Sequence, residues 1–367
     1  MIFSIQMGYR YIGSKDKLSE IIISEIKSTR KGAKHIIDLM AGTGLFSLAL
    51  RENGFQVSAV DVMTYSYHHL NVHLFLNKAP AFKGIKKIVD FENNQIKKIS
   101  GNNNYETVLN YLNNLKPVKG YFHKEFSVAG KPSNTKRPRK YFSAKNAAKI
   151  DAIRKEIKKL KNERAITVIE HSLLLHNLIM ATNDIANIAG TYGHYLSKFV
   201  KRAADSIQLY PTEFSIIGRI KGHRVFRGYA EDLATKLTGD ICYIDPPYIK
   251  RQYAANYHIL ETIAREDEPE AIGESGLRPW RDQYSNFCSK VKIRDSFDKI
   301  LTQIKCDDFL ISYSEDGLLP INDLILFLSG YGKVVKKDIQ YKRFKSRTDV
   351  IKKGATLNEY LIHLHRN

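Results

Sequence analysis

The segment Asp245-Pro246-Pro247-Tyr248 carries residue types suited to chemistry on a planar amino group. It follows the apolar run 241–244, which predicts a buried strand. Asp245 can accept one hydrogen bond from an exocyclic NH2 group, and the carbonyl of Pro246 can accept the other. The two prolines keep their φ angles fixed, and Tyr248 offers a face on which an extruded base can stack. The same segment is also compatible with a rigid turn that binds nothing.

A second pattern, near residue 40, predicts a strand–turn–helix–strand unit. Its parts are residues 35–40, 41–44, 45–53 and 55–60. Gly54 is placed to end the helix in the C′ position, and the second strand ends at Asp61. A βαβ unit of this kind presents its turn to a ligand at the edge of a sheet.

The residues in and around the turn restrict which ligand can bind there. Gly42 and Gly44 let a ligand approach the backbone closely, and Asp61 can bind ribose hydroxyls. A dinucleotide is disfavoured, because Ser47 stands where the third glycine of that fingerprint belongs and Asp38 would repel a pyrophosphate. A cationic ligand such as S-adenosylmethionine tolerates this acid. A glycine turn without any ligand is the remaining alternative.

The order of three segments resembles one family, the α-group of DNA adenine-N6 methyltransferases (the Dam-like class). The segments are RYIGSK at 10–15, DLMAGTG at 38–44 and IDPPY at 244–248. Shorter matches are YAED at 229–232, YAANYH at 253–258 and ISYSEDG at 311–317. Together they extend over most of the chain.

The resemblance implies S-adenosylmethionine as the cofactor and double-stranded DNA as the substrate. The implied cofactor pocket is lined by Tyr11, Lys15, Asp38, Gly42, Gly44 and Asp61. The YAED element usually has Asp where this chain has Glu231, so either Glu231 or Asp232 is expected to face the cofactor adenine. A cognate restriction endonuclease acting on the same site is a common companion in the family.

The same resemblance implies an α/β fold, with a Rossmann-like S-adenosylmethionine-dependent methyltransferase sheet of seven strands. An inserted, mainly helical target-recognition domain is expected to interrupt it. We predict a discontinuous catalytic domain of residues 1–64 and 226–367, and an insert of residues 65–225.

The charge of the chain favours a polyanionic partner. The net charge is +20, and residues 116–164 contain sixteen Lys or Arg against four Asp or Glu. Within that segment, residues 130–140 lack apolar periodicity and predict a mobile basic loop. The candidate DNA contacts in the loop are Lys131, Lys136, Arg137, Arg139 and Lys140. A basic surface without a specific partner is the alternative.

Two features flank this loop. Aromatic residues stand on both sides of it, namely Tyr121, Phe122, Phe126, Tyr141 and Phe142. Ser143 is then the predicted N-cap of a helix with apolar residues at helical spacing, Ile150, Ile153, Ile157 and Leu160. The lysines on the other faces of that helix are compatible with DNA contact and with simple solvation.

Other patterns exclude several classes of protein. The longest apolar stretch, 166–180, contains polar residues and is too short to span a bilayer, so it predicts a core helix. Residues 1–7 lack the basic start and the cleavage site of a signal peptide. The three cysteines, Cys242, Cys288 and Cys306, lack metal-ligand spacing. We therefore expect no metal and no membrane, and a bacterial cytoplasmic location with nucleoid association when DNA is bound.

The expected reaction is methyl transfer to adenine N6 in duplex DNA, within a restriction–modification system. Tyr248 would stack on the flipped base while Asp245 and the Pro246 carbonyl hold the N6 hydrogens. Transfer is then an in-line displacement in which positioning dominates. Cytosine-N4 methyltransferases share this chemistry but usually have Ser in place of Asp245. RNA or protein methyltransferases usually have Asn there, and a silent DNA-binding protein would bind the cofactor without transfer.

Overall fold

A computed structural model describes residues 18–85, 104–218, 221–342 and 356–367. The described strands are β1 (His35–Leu39), β2 (Gln56–Asp61), β3 (Arg224–Arg227), β4 (Ile241–Ile244), β5 (Asp308–Ser314), β6 (Gly332–Lys342) and β7 (Thr356–Arg366). The described helices in the first half are α1 (Ser19–Thr29), α2 (Leu45–Glu52), α3 (Thr64–Phe75), α4 (Asn104–Asn114), α5 (Tyr121–Phe126), α6 (Ala144–Asn162) and α7 (Val168–Asp184). Those that follow are α8 (Lys201–Ala204), α9 (Ala230–Leu233), α10 (Tyr253–Asn256), α11 (His258–Arg265), α12 (Ile293–Gln303) and α13 (Ile321–Ser329).

The described strands form one seven-stranded sheet in the order β3-β2-β1-β4-β5-β7-β6. Strands β1 to β5 run parallel to one another, and β7 runs antiparallel to both β5 and β6. The strand order reverses between β1 and β4. Such a switch leaves a crevice outside the carboxyl ends of the strands, where α/β proteins bind their ligands. The predicted Rossmann-like sheet of seven strands is confirmed.

The central strands are buried on both faces, as their apolar sequences require. In β1, Ile36 packs on one face of the sheet, while Ile37 and Leu39 pack on the other. In β4, Ile241 and Tyr243 share the face of Ile36, whereas Cys242 and Ile244 share the opposite face. This alternation follows from the two-residue period of a strand. Continuous apolar runs are typical of parallel strands that are covered on both sides.

Helices cover the two faces of the sheet. On one face α1 and α2 bury Ile22 and Leu50, and on the other α12 and α13 bury Phe297 and Leu324. All four side chains are at most 1% exposed. Each fully buried apolar side chain of this size contributes roughly 1.5–3 kcal/mol. These layers hold β1 and β4 rigid at the point where the crevice opens.

The predicted end of α2 is confirmed. Gly54 has a φ of +88°, and the preceding Asn53 caps the helix. The amide of Gly54 donates to Arg51 and the amide of Phe55 donates to Leu50. These bonds satisfy the last carbonyls of the helix, and the positive φ explains why glycine stands there.

Residues 104–209 of the predicted insert are mainly helical and contribute to one apolar cluster. It contains side chains of α4, α5, α6 and α7, including four of the five aromatic residues that flank the basic loop, and the fifth, Tyr121, packs against it. Ser143 caps α6 by accepting a hydrogen bond from the amide of Asn146, as predicted. The predicted core helix at 166–180 is also confirmed, since α7 begins there with a capping box between Thr167 and Glu170.

The helical cluster also includes elements from outside the predicted insert. Tyr257, Ile259 and Ile263, in and next to α11, are fully buried within it. Helix α3 contributes Tyr65 and Val72 to this cluster, while its Leu70 and Leu74 pack toward the sheet. Helices α3 and α11 thus join the sheet to the helices of residues 104–209, here called the helical layer. The division of the chain into two domains remains a prediction.

Within the described ranges, no helix is long and apolar enough to cross a membrane.

Candidate active site

Three acidic side chains come together at the carboxyl edge of the sheet. Asp38 is paired with Tyr243 in the register of β1 and β4, Asp61 ends β2, and Asp245 directly follows β4. The carboxyl ends of parallel strands lie at the same edge of a sheet, so these three positions lie at one edge. The charges of Asp245 and Asp61 both act on Asp38 and raise its pKa. The edge is therefore acidic, with three carboxyl groups close enough to interact.

The loop after β1 shapes this edge. Met40, Gly42 and Gly44 all have positive φ, at +61°, +57° and +78°. A Cβ atom on Gly44 would lie 3.1 Å from side-chain atoms of both Leu70 and His73 in α3. Glycine at position 44 thus allows both the left-handed backbone and the close approach of α3. The loop leads directly into the amino terminus of α2.

Asp61 is fixed by backbone donors from both sides. Its Oδ2 accepts from the amide of Gly42 at 2.8 Å, and its Oδ1 accepts from the amide of Met63 at 2.8 Å. Burial raises the pKa of Asp61 to about 6, those two hydrogen bonds oppose the rise, and the charge of Glu261 adds to it. The carboxylate thus connects the glycine loop to the turn after β2.

Asp38 lies beneath the loop and is 1% exposed. Its Oδ2 accepts a hydrogen bond of 2.5 Å from the hydroxyl of Ser47 in α2. Burial is the main cause that raises the pKa of Asp38 to about 7, and the hydrogen bond from Ser47 opposes it. Ser47, which stands in place of a dinucleotide glycine, therefore serves as the partner of this acid.

The DPPY segment is supported from several directions. Pro246 is buried, and the carbonyl of Tyr248 accepts from the amide of Leu318 at 2.9 Å. The ring of Tyr248 lies 5.6 Å from that of Tyr313 in β5, and its hydroxyl donates to Glu359 at 3.4 Å. Asp245 and Tyr248 themselves are half-buried. The segment thus leaves partly open the two side chains predicted to hold the base.

The YAED element adjoins the end of β2. The amide of Gly228 donates to the carbonyl of Asp61 at 2.9 Å, which brings residues 229–232 next to the acid. Glu231 is half-buried and accepts a 2.7 Å hydrogen bond from Ser296 in α12, whereas Asp232 is exposed. The choice between these two acids as cofactor contact stays a prediction.

One predicted DNA contact requires correction. Arg139 is 0% exposed, and its Nη1 lies 2.6 Å from Oε2 of Glu125 in a buried ion pair. Its other nitrogens donate to the carbonyls of Ala271, Gly273 and Glu274. The prediction that this side chain belongs to a free basic arm is wrong, because the guanidinium is buried and links Glu125 of α5 to residues 271–274.

The rest of the basic loop is fastened to the same region. Ser133 donates to Glu125 at 2.7 Å, and Asn134 donates to Glu270 at 2.9 Å. The flanking aromatic rings lie in the helical core rather than beside the charges. The four other predicted contacts are exposed, namely Lys131, Lys136, Arg137 and Lys140. The loop therefore presents four cations from a fixed base.

Sequence reasoning missed two polar residues that support the site. Glu261 in α11 is 0% exposed and accepts from the amides of Thr64 and Tyr65 at the start of α3. Gln283 donates to Glu261 and to the carbonyl of Val62. A charged residue between Leu260 and Ile263 on an apolar helix was the only signal in the sequence for Glu261.

Tyr11 and Lys15 lie outside the described residues. Among the residues that the structure describes, no group of three or more His, Cys, Asp or Glu side chains is arranged to hold a metal ion.

Comparison with known proteins decides the family. The family described as D12 class N6 adenine-specific DNA methyltransferase matches residues 11–324. The chain belongs to this family. Its membership agrees with the motif order and with the position of the DPPY segment beside the glycine loop. Members of a methyltransferase family require a methyl donor, and the acidic edge described above is the candidate place for it.

Curated relatives support the D12 assignment. The type II methyltransferase M.FokI of Planomicrobium okeanokoites is 32% identical over 98% of this chain and 53% of its own length. The modification methylase StsI of Streptococcus sanguinis is 29% identical over 97% and 52%. The type II methyltransferase M.NlaIII of Neisseria lactamica is 32% identical over 92% of both chains. This chain thus spans about half the length of the first two. No solved structure matches it.

Proposed function

We propose that this D12-family chain is a site-specific DNA methyltransferase. It transfers a methyl group from S-adenosylmethionine to the N6 amino group of a flipped adenine in duplex DNA. The observation that carries the proposal is the meeting of the DPPY segment with the glycine loop and Asp61 at one edge of the sheet, in a chain whose family acts on adenine N6.

The donor set of this edge fits a cationic cofactor. Asp38 and Asp61 are buried acids whose pKa values burial raises to about 7 and about 6, and a positive charge beside them would favour their ionised forms. A sulfonium ligand supplies that charge, together with an electrophilic methyl group. We assign Asp61 to the ribose hydroxyls, the backbone of Gly42 and Gly44 to close approach, and Asp38 to the positive end of the ligand. Tyr11, Lys15 and one of Glu231 and Asp232 complete the proposed pocket.

Adenine presents two difficulties that the DPPY residues address. Its N6 lone pair is delocalised into the ring, and the base lies inside a duplex, so it must be flipped at a cost of about a few kcal/mol. Tyr248, held by Tyr313, would stack on the flipped base. Asp245 and the carbonyl of Pro246 would accept the two N6 hydrogens and so direct the lone pair toward the methyl group. Asp245 takes up the proton that the methylated nitrogen loses.

The helical layer is the proposed target-recognition region. Lys131, Lys136, Arg137 and Lys140 would neutralise DNA phosphates from the fastened basic loop. The names of the relatives, type II methyltransferases and modification methylases, support a role in restriction–modification. A restriction endonuclease acting on the same DNA site is then the proposed partner system.

The test is nucleoside mass spectrometry on unmethylated DNA incubated with the protein and S-adenosylmethionine. We expect N6-methyladenine from the wild type and a loss of at least about 100-fold in Asp245→Ala, on the scale of removing one positioned polar group. Asp323→Ala, at an exposed acid of α13, is the matched control. N4-methylcytosine would change the base assignment. No methylated base, or an active Asp245→Ala, would overturn the mechanism.

A further inference from the structure

One segment of the fold joins the two halves of the proposed site. Residues 281–288, here called the strap, consist of two 3₁₀ turns, Arg281–Gln283 and Asn286–Cys288. The strap follows the helical layer and precedes α12. None of the motifs that identify the family contains it. Its polar groups contact both the turn after β2 and the residues that follow the DPPY segment.

The first end of the strap holds the turn beside Asp61. The side-chain amide of Gln283 donates to the carbonyl of Val62 at 3.0 Å and to Glu261 at 2.8 Å. One residue earlier, the carbonyl of Asp282 accepts from the hydroxyl of Tyr229 in the YAED element at 2.8 Å. Gln283 is 4% exposed, so these bonds form away from water. The turn after β2 and the YAED element are thereby both tied to the strap.

Glu261 extends this anchor into α3. Its carboxylate accepts from the amides of Thr64 and Tyr65 at 2.9 and 3.2 Å, which are among the unsatisfied donors at the start of a helix. A negative charge at that end is also favoured by the helix dipole. The amide of Met63, just before these, donates to Asp61. The strap, Glu261 and Asp61 thus hold four consecutive residues, 62–65.

The second end of the strap holds the chain after the DPPY segment. Gln252 and Ser285 form a reciprocal pair: the amide of Ser285 donates to Gln252 at 2.8 Å, and Gln252 donates to the carbonyl of Ser285 at 3.1 Å. The thiol of Cys288 lies 3.6 Å from the carbonyl of Pro247 and 3.4 Å from that of Arg251. Gln252 is 8% exposed.

Only one residue separates the two anchors. Gln283 and Ser285 are two positions apart, so their Cα atoms can be separated by at most about 7 Å. The intervening residue, Tyr284, stacks on Trp280 with ring centroids 6.2 Å apart. A connection this short cannot absorb a shift at one end without moving the other.

We propose that the strap fixes the distance between the turn after β2 and the DPPY segment, and that Gln283 and Gln252 are positioning residues for methyl transfer. Neither side chain needs to touch the substrate or the cofactor. This inference rests on the proposed function for the roles of the two ends. It assigns a coupling between them that the motifs do not contain.

The first experiment compares Gln283→Leu and Gln252→Leu with Gln303→Leu, a matched control at an exposed position of α12. Hydrogen exchange of the ligand-free protein is measured over residues 61–67. We expect faster exchange there in both strap variants, including Gln252→Leu, whose own contacts lie at the other end. Exchange that changes only near residues 252 and 285 in Gln252→Leu would overturn the proposal. Thermal unfolding confirms that every variant is folded at the working temperature.

The second experiment measures binding of S-adenosylhomocysteine by calorimetry and methyl transfer by kcat and KM. Gln283→Leu should weaken binding about tenfold, and Gln252→Leu should lower kcat about tenfold while weakening binding about threefold. In the double variant, binding should be no more than about twofold weaker than in Gln283→Leu, because either change already releases the strap. Losses that multiply, or unchanged binding in Gln252→Leu, would contradict the coupling.

The two proposals fail separately. A wild type that binds the cofactor but methylates no DNA base would refute the proposed function, while exchange and binding still test the strap. A wild type that methylates adenine, with variants that behave like Gln303→Leu, would refute the strap alone.

Discussion

At the scale of single residues, the site holds two acids, Asp38 and Asp61, that are buried at the carboxyl edge of the sheet. Asp38 accepts one hydrogen bond from Ser47 and Asp61 accepts two from backbone amides, yet burial still raises the pKa of both. A carboxyl group whose pKa is raised in the folded state destabilises the fold at pH values above its ordinary pKa. The two buried acids therefore lower the stability of the ligand-free protein, and the proposed cationic cofactor would offset this loss on binding.

Asp38→Asn should make the ligand-free protein more stable at pH 8. The folded pKa of about 7 exceeds the ordinary value of 3.8, so the wild type loses stability as pH rises from about 4 to 7. The amide removes this loss and still accepts from Ser47. We expect a gain on the order of 2 kcal/mol in urea unfolding at pH 8 and none at pH 3. Asp323→Asn is the control, and equal effects of both changes would contradict the argument.

Cofactor binding should release protons near neutral pH. At pH 6.5 Asp38 and Asp61 are partly protonated, and a bound sulfonium charge favours their ionised forms. S-adenosylmethionine affinity should therefore fall as pH drops from 8 to 5.5, more steeply than that of uncharged-sulfur S-adenosylhomocysteine. Calorimetry in two buffers with different ionisation enthalpies measures the protons released. The same number for both ligands would argue against the acidic edge as the cation site.

At the scale of elements, the basic loop illustrates how similar residues take opposite roles. Arg139 forms a buried ion pair with Glu125, whereas Lys136, Arg137 and Lys140 in the same short run face solvent. The buried guanidinium anchors the loop to residues 271–274, so the exposed cations extend from a defined surface. For the proposed DNA contact, order of this kind would reduce the entropy lost on binding.

Replacing Lys136, Arg137 and Lys140 together by Ala should weaken DNA binding and flatten its salt dependence. Each phosphate contact contributes about 0.9 to the slope of log affinity against log salt, so the slope should decrease by roughly 2–3. Fluorescence anisotropy at several salt concentrations provides the measurement. Lys236, Lys299 and Lys305, also exposed, form a control triple with the same change in charge.

Arg139→Ala separates the structural role from the DNA role. Removing one partner of a buried ion pair costs about 3–5 kcal/mol, so this variant should unfold at lower urea. An unchanged unfolding midpoint with a reduced salt slope would return Arg139 to the DNA surface.

At the scale of the whole molecule, α3 connects two layers, since it packs against both the sheet and the helical layer. Its interface with α7 contains several histidines. Nδ1 of His69 lies 2.7 Å from Nδ1 of His176, and His68 is hydrogen-bonded to Ser172. Burial lowers the pKa of His68 to about 3 and that of His73 to about 4, and it places those of His69 and His176 well below 6.5. These rings are neutral in the folded protein.

The protein should therefore lose stability in mild acid. A histidine with a lowered folded pKa stabilises the protein above its unfolded pKa of 6.5, and this stability is lost as pH falls below it. On unfolding in this pH range, the four histidines take up more protons than Asp38 and Asp61 release, so the unfolded state binds more protons than the folded state. We expect a net loss of about 3 kcal/mol per pH unit between pH 6 and 5.

Urea unfolding across that range measures the slope. His176→Asn should reduce the slope by the equivalent of about one proton taken up on unfolding. His194→Asn, at an exposed position, should leave the slope unchanged. A stability that does not depend on pH between 6 and 5 would contradict neutral buried histidines.

The sequence by itself determined those features that depend on neighbouring residues. Apolar runs predict β1 and β4, glycines mark the turns with positive φ at 42, 44 and 54, and Ser143 caps α6, since each effect acts within a few positions along the chain. The Rossmann-like sheet of seven strands was predicted from the family resemblance that the motif order carries. In contrast, only the tertiary structure decided that Arg139 is buried, because its partner Glu125 and the carbonyls of 271–274 reach it through packing. Only the tertiary structure also revealed the contacts of the strap. Gln283 and Gln252 belong to no sequence pattern, and their hydrogen-bond partners are brought to them by the folding of distant segments.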